Sequence, residues 1–314
     1  MKLRKIALLL LSGAGLYSVA NYSAAAGNVR ERKRILDDKK FWVIAHRGFS
    51  ARFPENTMLA FEKAAALPID AIELDVHSTR DGKIVVIHDS TLDRTTDKNG
   101  RVFDHTWDLL RKADAGFLFD PDGSGEYPFR GQGVTIPLLE EVFKTFPRMK
   151  FIVEIKQALP AIEEVVYRLI RKYKMEMQVI VASEHSEPLN RFRNIDPLVA
   201  TSFSSEEAYE LYKMYRLRMM NFYKCRGDAL QIPEKNKGRQ VLRPSLVAAA
   251  KRKGLAVHIW TVNDPVDMDR LMDWGVDGII TDDPESLLEV AAARGTEGKL
   301  RTEESNGHSR SKAR

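Results

Sequence analysis

Residues 71–89 read Ala-Ile-Glu-Leu-Asp-Val-His-Ser-Thr-Arg-Asp-Gly-Lys-Ile-Val-Val-Ile-His-Asp. Two β-branched apolar runs, Ala71 to Val76 and Ile84 to His88, flank a gap that holds Asp81-Gly82, a strong turn signal. The gap is too short for a helical crossover, so a hairpin-like link is predicted. Within the first run Glu73 and Asp75 are two residues apart and share one face, with Leu74 on the other. A turn centred between Asp81 and Gly82 would set Asp75 opposite His88. Local geometry thus brings a carboxylate and an imidazole together.

Similar runs recur outward from this stretch. Upstream lies Trp42 to Ala45. Downstream come Phe151 to Ile155, Val179 to Ala182, Leu198 to Ser202, Ala229 to Ile232, Ala256 to Val262 and Gly278 to Thr281. Several are continuously apolar, as strands buried on both faces should be. Helix-like segments alternate with them: Thr57 to Leu67, Pro137 to Phe146, Ala161 to Lys174, Glu206 to Met214, Pro244 to Lys253, Pro265 to Trp274 and Pro284 to Ala293. Pro244, Pro265 and Pro284 suit first-turn positions, where a missing N–H costs nothing. The alternation predicts an α/β fold, a TIM-type (β/α)8 barrel of parallel strands. Nine strand candidates compete for eight places, and the hairpin makes the barrel irregular near its second and third strands. The glycine-rich stretch from Asp89 to Ile136 reads as an insertion after the third strand, and one this long is usually functional.

The ends differ from the middle. Residues 1–40 form an apolar stretch and a basic linker, 41–292 the barrel, and 293–314 a basic tail expected to be disordered. No charge occurs from Ile6 through Val29, long enough to cross a hydrocarbon core. Lys2, Arg4 and Lys5 precede it and Ala24-Ala25-Ala26 lies near its end, the pattern of a cleavable signal peptide. The run Arg30 to Arg34 that follows opposes export, which favours an uncleaved membrane anchor. Membrane association is therefore expected, with export after cleavage as the alternative. The net charge of +5 is concentrated at the two ends, fitting an anionic membrane surface. No zinc finger or RNA-recognition signature occurs, so nucleic acid is not an expected partner. The single cysteine, Cys225, excludes an intramolecular disulfide and is given no role. Oligomeric state is not legible.

Barrel enzymes carry their chemistry at the C-terminal ends of strands. Those positions hold His46-Arg47, Glu73 and Asp75, His88-Asp89, and Glu154 with Lys156. Glu73, Asp75 and Glu154 around one mouth would repel each other unless a cation lies between them. Oxygen ligands suit one hard divalent cation, Mg2+ or Ca2+. His46 and His88 can give and take protons near neutral pH. Arg47 and Lys156 add positive charge for an anionic substrate. This combination suits phosphoryl chemistry. His77, His105, His185, His258 and His308 are assigned to packing or to the surface.

At these residues the chain resembles the glycerophosphodiester phosphodiesterase family. The strings that carry the likeness are His46-Arg47-Gly48, Pro54-Glu55-Asn56-Thr57, Glu73-Leu74-Asp75-Val76, Asp81-Gly82 and Val86-Ile87-His88-Asp89. Others are Leu92-Asp93-Arg94-Thr95-Thr96, Ile136-Pro137, Glu154-Ile155-Lys156, Trp260-Thr261-Val262-Asn263 and Gly278-Ile279-Ile280-Thr281-Asp282. The resemblance implies a divalent metal held by Glu73, Asp75 and Glu154, with His46 and His88 as general acid and base. It also implies phosphate contacts from Arg47 and Lys156 and support from Glu55, with Trp260 at the mouth. The expected products are a glycerol phosphate and an alcohol. A finer likeness, in the N-terminal segment and Leu230-Gln231-Ile232-Pro233, is to membrane-anchored members that hydrolyse lysophospholipids. There Trp107, Phe117, Phe119, Tyr127 and Phe129 would touch an acyl chain or else pack the insertion. A lyase that stops at a cyclic phosphate is the nearest rival reaction.

Overall fold

Eight strands run parallel around one axis. They are β1 (Trp42–His46), β2 (Ala71–Ser78), β4 (Lys150–Ile155), β5 (Val179–Ala182), β6 (Ala200–Thr201), β7 (Ala229–Pro233), β10 (Ala256–Trp260) and β11 (Gly278–Thr281). A computed structural model describes residues 29–38 and 40–294. The apolar segment up to residue 28, the tail from 295 and His308 lie outside the described residues. Among the described residues no helix is long and apolar enough to cross a membrane.

The strand order is β6-β5-β4-β2-β1-β11-β10-β7. An isolated parallel bridge from Ser202 to Ala229 closes the ring. Backbone bonds Asp228 N to Thr201 O (2.7 Å) and Phe203 N to Ala229 O (3.1 Å) reinforce that seam. The third of the nine candidates, Ile84 to His88, is the extra one. Strand β3 (Ile84–Val86) lies off the barrel, antiparallel on β2, and β8 (Lys235–Asn236) and β9 (Arg239–Gln240) pair only with each other. The hairpin is as predicted, but its register is shifted by one residue. Val76 pairs with Val86, and Ile87 N donates to Asp75 O at 2.9 Å, so Asp75 faces Ile87 rather than His88. The cause is the turn. Thr79 N bonds to Lys83 O at 2.9 Å, which centres the loop on Asp81 instead of between Asp81 and Gly82.

Helices α1 (Met58–Ala65), α2 (Trp107–Leu110), α3 (Leu139–Thr145), α4 (Glu163–Lys172), α5 (Ser186–Ile195), α6 (Ser205–Arg216), α7 (Pro244–Arg252) and α8 (Pro265–Asp273) pack outside, followed by a helix over 284–294. Caps fix their starts. Thr57 accepts from Ala60 N, Ser204 and Glu207 form a capping box, and Asp264 accepts from Val266 N and Asp267 N. The sequence reading missed α5. Its apolar stripe is only Pro188, Leu189 and Phe192, too sparse to stand out among polar neighbours. Strand β6 is also shorter than the run from Leu198 to Ser202 suggested, and Leu198 is exposed.

Inside the ring a layer of Trp42, Ile44, Ala71, Ile152, Ile180 and Ile280 is fully packed. Ile35 and Leu36, on a short 3-10 turn, bury themselves in the same cluster and plug the end where the strands begin. The insertion folds around its own small core of Leu92, Val102, Leu110, Ala113 and Ile136. That core is built on Val85 and Ile87 of the β3 segment. Its aromatic residues mostly contact one another. Phe129 lies 5.7 Å from Phe119 and 5.9 Å from Phe53, and Arg130 is sandwiched between Phe117 and Tyr127.

The turn after β1 tests how tightly this frame is built. Gly48 has φ +82, and a Cβ there would stand 2.7 Å from the carbonyl carbon of Ala60. Gly48→Ala is expected to cost about 1–3 kcal/mol from backbone strain alone. The measurement is a lower urea midpoint at unchanged slope.

Candidate active site

Register brings the site together. His46 pairs with Glu73 across β1 and β2, and Asp75 pairs with Glu154 across β2 and β4. Carboxylate oxygens of Glu73, Asp75 and Glu154 all lie within 4.8 Å of one another. Glu73 and Asp75 are buried, and Glu154 is partly so. Burial, with the Asp75 charge next in importance, pushes the Glu73 carboxyl up to about 8. Burial also raises Glu154, against the pull of Lys156. Burial would raise Asp75 too, but Lys156, Arg47 and His88 together hold it below the usual range. A buried acid whose ionisation is opposed by burial and by neighbouring acids gains most from a nearby cation. The all-oxygen donor set fits Mg2+ or Ca2+.

Lys156 Nζ sits 3.1 Å from Asp75 and 2.9 Å from Glu154. Arg47 adopts φ 54, a left-handed conformation uncommon outside glycine, and its N–H donates to Glu73 at 3.1 Å. Its guanidinium donates to Glu55 at 2.9 Å. Arg47 Nε lies 3.2 Å from Asp75 but is misaligned for a hydrogen bond, so this buried donor is unsatisfied. An unsatisfied buried cationic donor beside the acids can take up an anionic oxygen.

Both histidines are held through Nδ1 by an aspartate. His46 Nδ1 lies 2.6 Å from Asp282, which also accepts from Ser50 at 3.0 Å and Asn263 at 2.6 Å. His46 Nε2 then faces Glu73 at 3.9 Å. Burial would lower the His46 imidazole, but the Asp282 hydrogen bond and the Glu73 charge outweigh it, so the net shift is upward. His88 Nδ1 lies 2.6 Å from Asp89. Arg94 binds Asp89 at 2.7 Å and forks onto both oxygens of Glu55 at 2.7 and 2.8 Å. Its contact is the first cause of the fall of the Asp89 carboxyl to about 2. Asn56 fixes Asp75 at 2.8 Å.

All the sequence-derived residues therefore converge: His46, Arg47, Glu55, Glu73, Asp75, His88, Glu154 and Lys156. Trp260 is 44% exposed and, with Glu154, lines a cavity of about 920 Å3 that leads from the site towards α6. The reading missed the residues that orient this set, namely Asp282, Asn263, Ser50, Asp89, Arg94 and Asn56. Most lie within the quoted strings, but His46 and Asp282 are 236 positions apart and nothing local links them. Among the other histidines, His77 bonds His88 O at 3.1 Å, and buried His258 stacks on Trp42.

The sequence pattern of the Glycerophosphoryl diester phosphodiesterase family matches residues 46–286, from the first of these histidines to just past its aspartate. The chain belongs to that family. A glycerophosphodiester phosphodiesterase of Caldanaerobacter subterraneus subsp. tengcongensis is 36% identical, covering 82% of this chain and 100% of that one. One from Bacillus subtilis is 33% identical over 92% of this chain and 98% of its own. Among solved structures, a glycerophosphoryl diester phosphodiesterase from Silicibacter pomeroyi superposes with a TM-score of 0.70 at 24% identity, covering 84% of this chain and 98% of that one. Membership makes the chain an enzyme that hydrolyses glycerophosphodiesters to a glycerol phosphate and an alcohol.

Asp282→Asn removes the negative charge that raises His46 and leaves only a neutral amide acceptor for its Nδ1–H. The imidazole, followed by NMR, is expected to titrate at lower pH than in the parent, and kcat to fall by up to about 100-fold. An unmoved titration would detach Asp282 from His46.

Proposed function

We propose that this phosphodiesterase works with one divalent cation, Mg2+ or Ca2+, held by Glu73, Asp75 and Glu154, and with His46 and His88 as its proton-transfer pair. The convergence of three acids, two of them buried, beside two aspartate-held imidazoles carries the reading. The cation, when bound, would supply Lewis-acid polarisation of a phosphoryl oxygen.

The residues of the chain do the rest. Arg47 and Lys156 bind the phosphate oxygens, each through a cationic head beside Asp75 on a side chain that is still partly exposed. Glu55 holds the Arg47 guanidinium beside the acid cluster. Donation of Nδ1–H to Asp282 and Asp89 leaves Nε2 of each imidazole free to exchange protons. One accepts a proton from the attacking water as that oxygen bonds to phosphorus. The other donates a proton to the departing alcohol oxygen as the old P–O bond breaks. Which imidazole serves which oxygen follows from which side of phosphorus each faces. The remainder of the substrate extends past Trp260 into the cavity. The segment before residue 29 attaches the enzyme to a membrane, a reading supported by its uncharged length and the basic run after it.

Two measurements test the chemistry. His46→Ala is expected to reduce glycerophosphocholine turnover by about 100- to 10,000-fold with little change in unfolding midpoint. Turnover close to the parent's would defeat the assignment. Chelation should abolish activity, and added Mg2+ or Ca2+ should restore it. Asp75→Asn should raise the metal concentration for half-maximal activity at least about tenfold. An unchanged titration curve would exclude Asp75 as a ligand.

A further inference from the structure

The end of the barrel opposite the site has a chemistry the reaction does not use. Residues 29–38 form a strap across it. Arg30 N donates to Lys253 O at 2.9 Å, and its side chain reaches Asp228 at 2.5 Å and Cys225 O at 3.2 Å. Arg32 reaches Leu255 O and Asp277, and Lys33 reaches Pro197 O at 2.5 Å. Every one of these partners lies just before a strand, so the strap is pinned to the closed floor.

Three large apolar side chains protrude there. Leu198, next to Pro197, is 74% exposed, Val29 at the start of the strap 56%, and Met177 53%. Met177 precedes Gln178, whose side chain binds Pro147 O in the turn before β4. Around them stand exposed cations. Arg34 is on the strap, Arg148 is in the Pro147 turn, Lys224 and Arg226 flank Cys225, and Arg252 precedes Lys253. Among the described residues none of these five makes an ion pair, whereas the floor carboxylates Asp38, Asp70, Asp228 and Asp277 are each paired. Glu31, Asp37 and Asp196 offset only part of the surplus. Single exposed apolar residues need no explanation. Apolar tips set among unpaired cations are the composition of a surface that enters the headgroup layer of an anionic bilayer. The uncharged stretch from Ile6 to Val29 also joins the barrel at this floor, through Arg30.

We propose that the floor of the barrel is a docking surface for an anionic lipid bilayer, which turns the catalytic mouth towards water. The proposal rests on the catalytic reading only in naming which end is the mouth. It deepens that reading, because substrate then arrives from the aqueous side as a soluble diester.

The test uses the full chain, labelled with a fluorophore at Leu198→Cys on the floor or at Val266→Cys on the first turn of α8 beside the mouth. Val266 is 75% exposed, and the native Cys225 is buried. Each protein is added to vesicles of phosphatidylcholine and phosphatidylglycerol that carry a lipid-borne nitroxide quencher. The Leu198 label should be quenched several-fold more than the Val266 label. The combined variant Arg148→Glu, Arg226→Glu and Arg252→Glu should lose that difference, since each cation near an anionic surface is worth about fivefold in affinity. Equal or reversed quenching would overturn the proposal, and so would a difference that survives charge reversal. Glycerophosphocholine turnover is measured on the same samples. Asymmetric quenching without turnover would support docking and count against the chemistry alone.

Discussion

Crowding of like charge governs this molecule. Three carboxylates are held within 4.8 Å of one another at the top of a dry barrel, where each raises the cost of ionising the next. The fold meets that cost with Lys156 and Arg47, which bracket Asp75 and leave Glu73 as the acid least compensated. Breaking such a set by removing one partner is far more damaging than its net contribution suggests, because the remaining charges stay buried. The parallel ladder sets the spacing. One residue of slip between β2 and β4 would turn Glu154 away from Asp75.

The orienting groups form two chains around this centre. One runs from His46 to Asp282 and on to Asn263 and Ser50, joining the first barrel strand to the last. The other runs from His88 through Asp89 and Arg94 to Glu55 and Arg47. Glu55, through Arg94, thus ties the Arg47 guanidinium to the aspartate that holds the second imidazole. Two imidazoles are thereby fixed beside a common acid cluster.

Much of this was legible in the sequence for physical reasons. Alternation within a strand put Glu73 and Asp75 on one face, and continuous apolar runs announced buried parallel strands. Asp81-Gly82 announced a hairpin where a barrel should have had a helix. The register of that hairpin was not legible, because Thr79 and Lys83 close the loop around Asp81 and no composition rule distinguishes that centre from its neighbour. Helix α5 stayed hidden because its buried stripe is three residues wide. Asp282 was visible as a residue but not as a partner, since ring closure alone brings it to His46.

The insertion's core is continuous with Val85 and Ile87, so His88 stands on the seam where two hydrophobic interiors meet. A lobe rooted in this way is modular at its far end and not at its base. Between Phe119 and Gly133, where the lobe is mostly exposed, a chimera could exchange loops of other lengths with little penalty to the barrel, since long surface excursions add closure entropy slowly. Exchange that removed Leu92, Val102, Leu110 or Ala113 would strip the apolar cover from Val85 and Ile87, and loss of Arg94 would release Asp89. It would also leave the second imidazole on an unsupported ledge, so diversification of this enzyme's outer lobe is confined to one side of a fixed boundary.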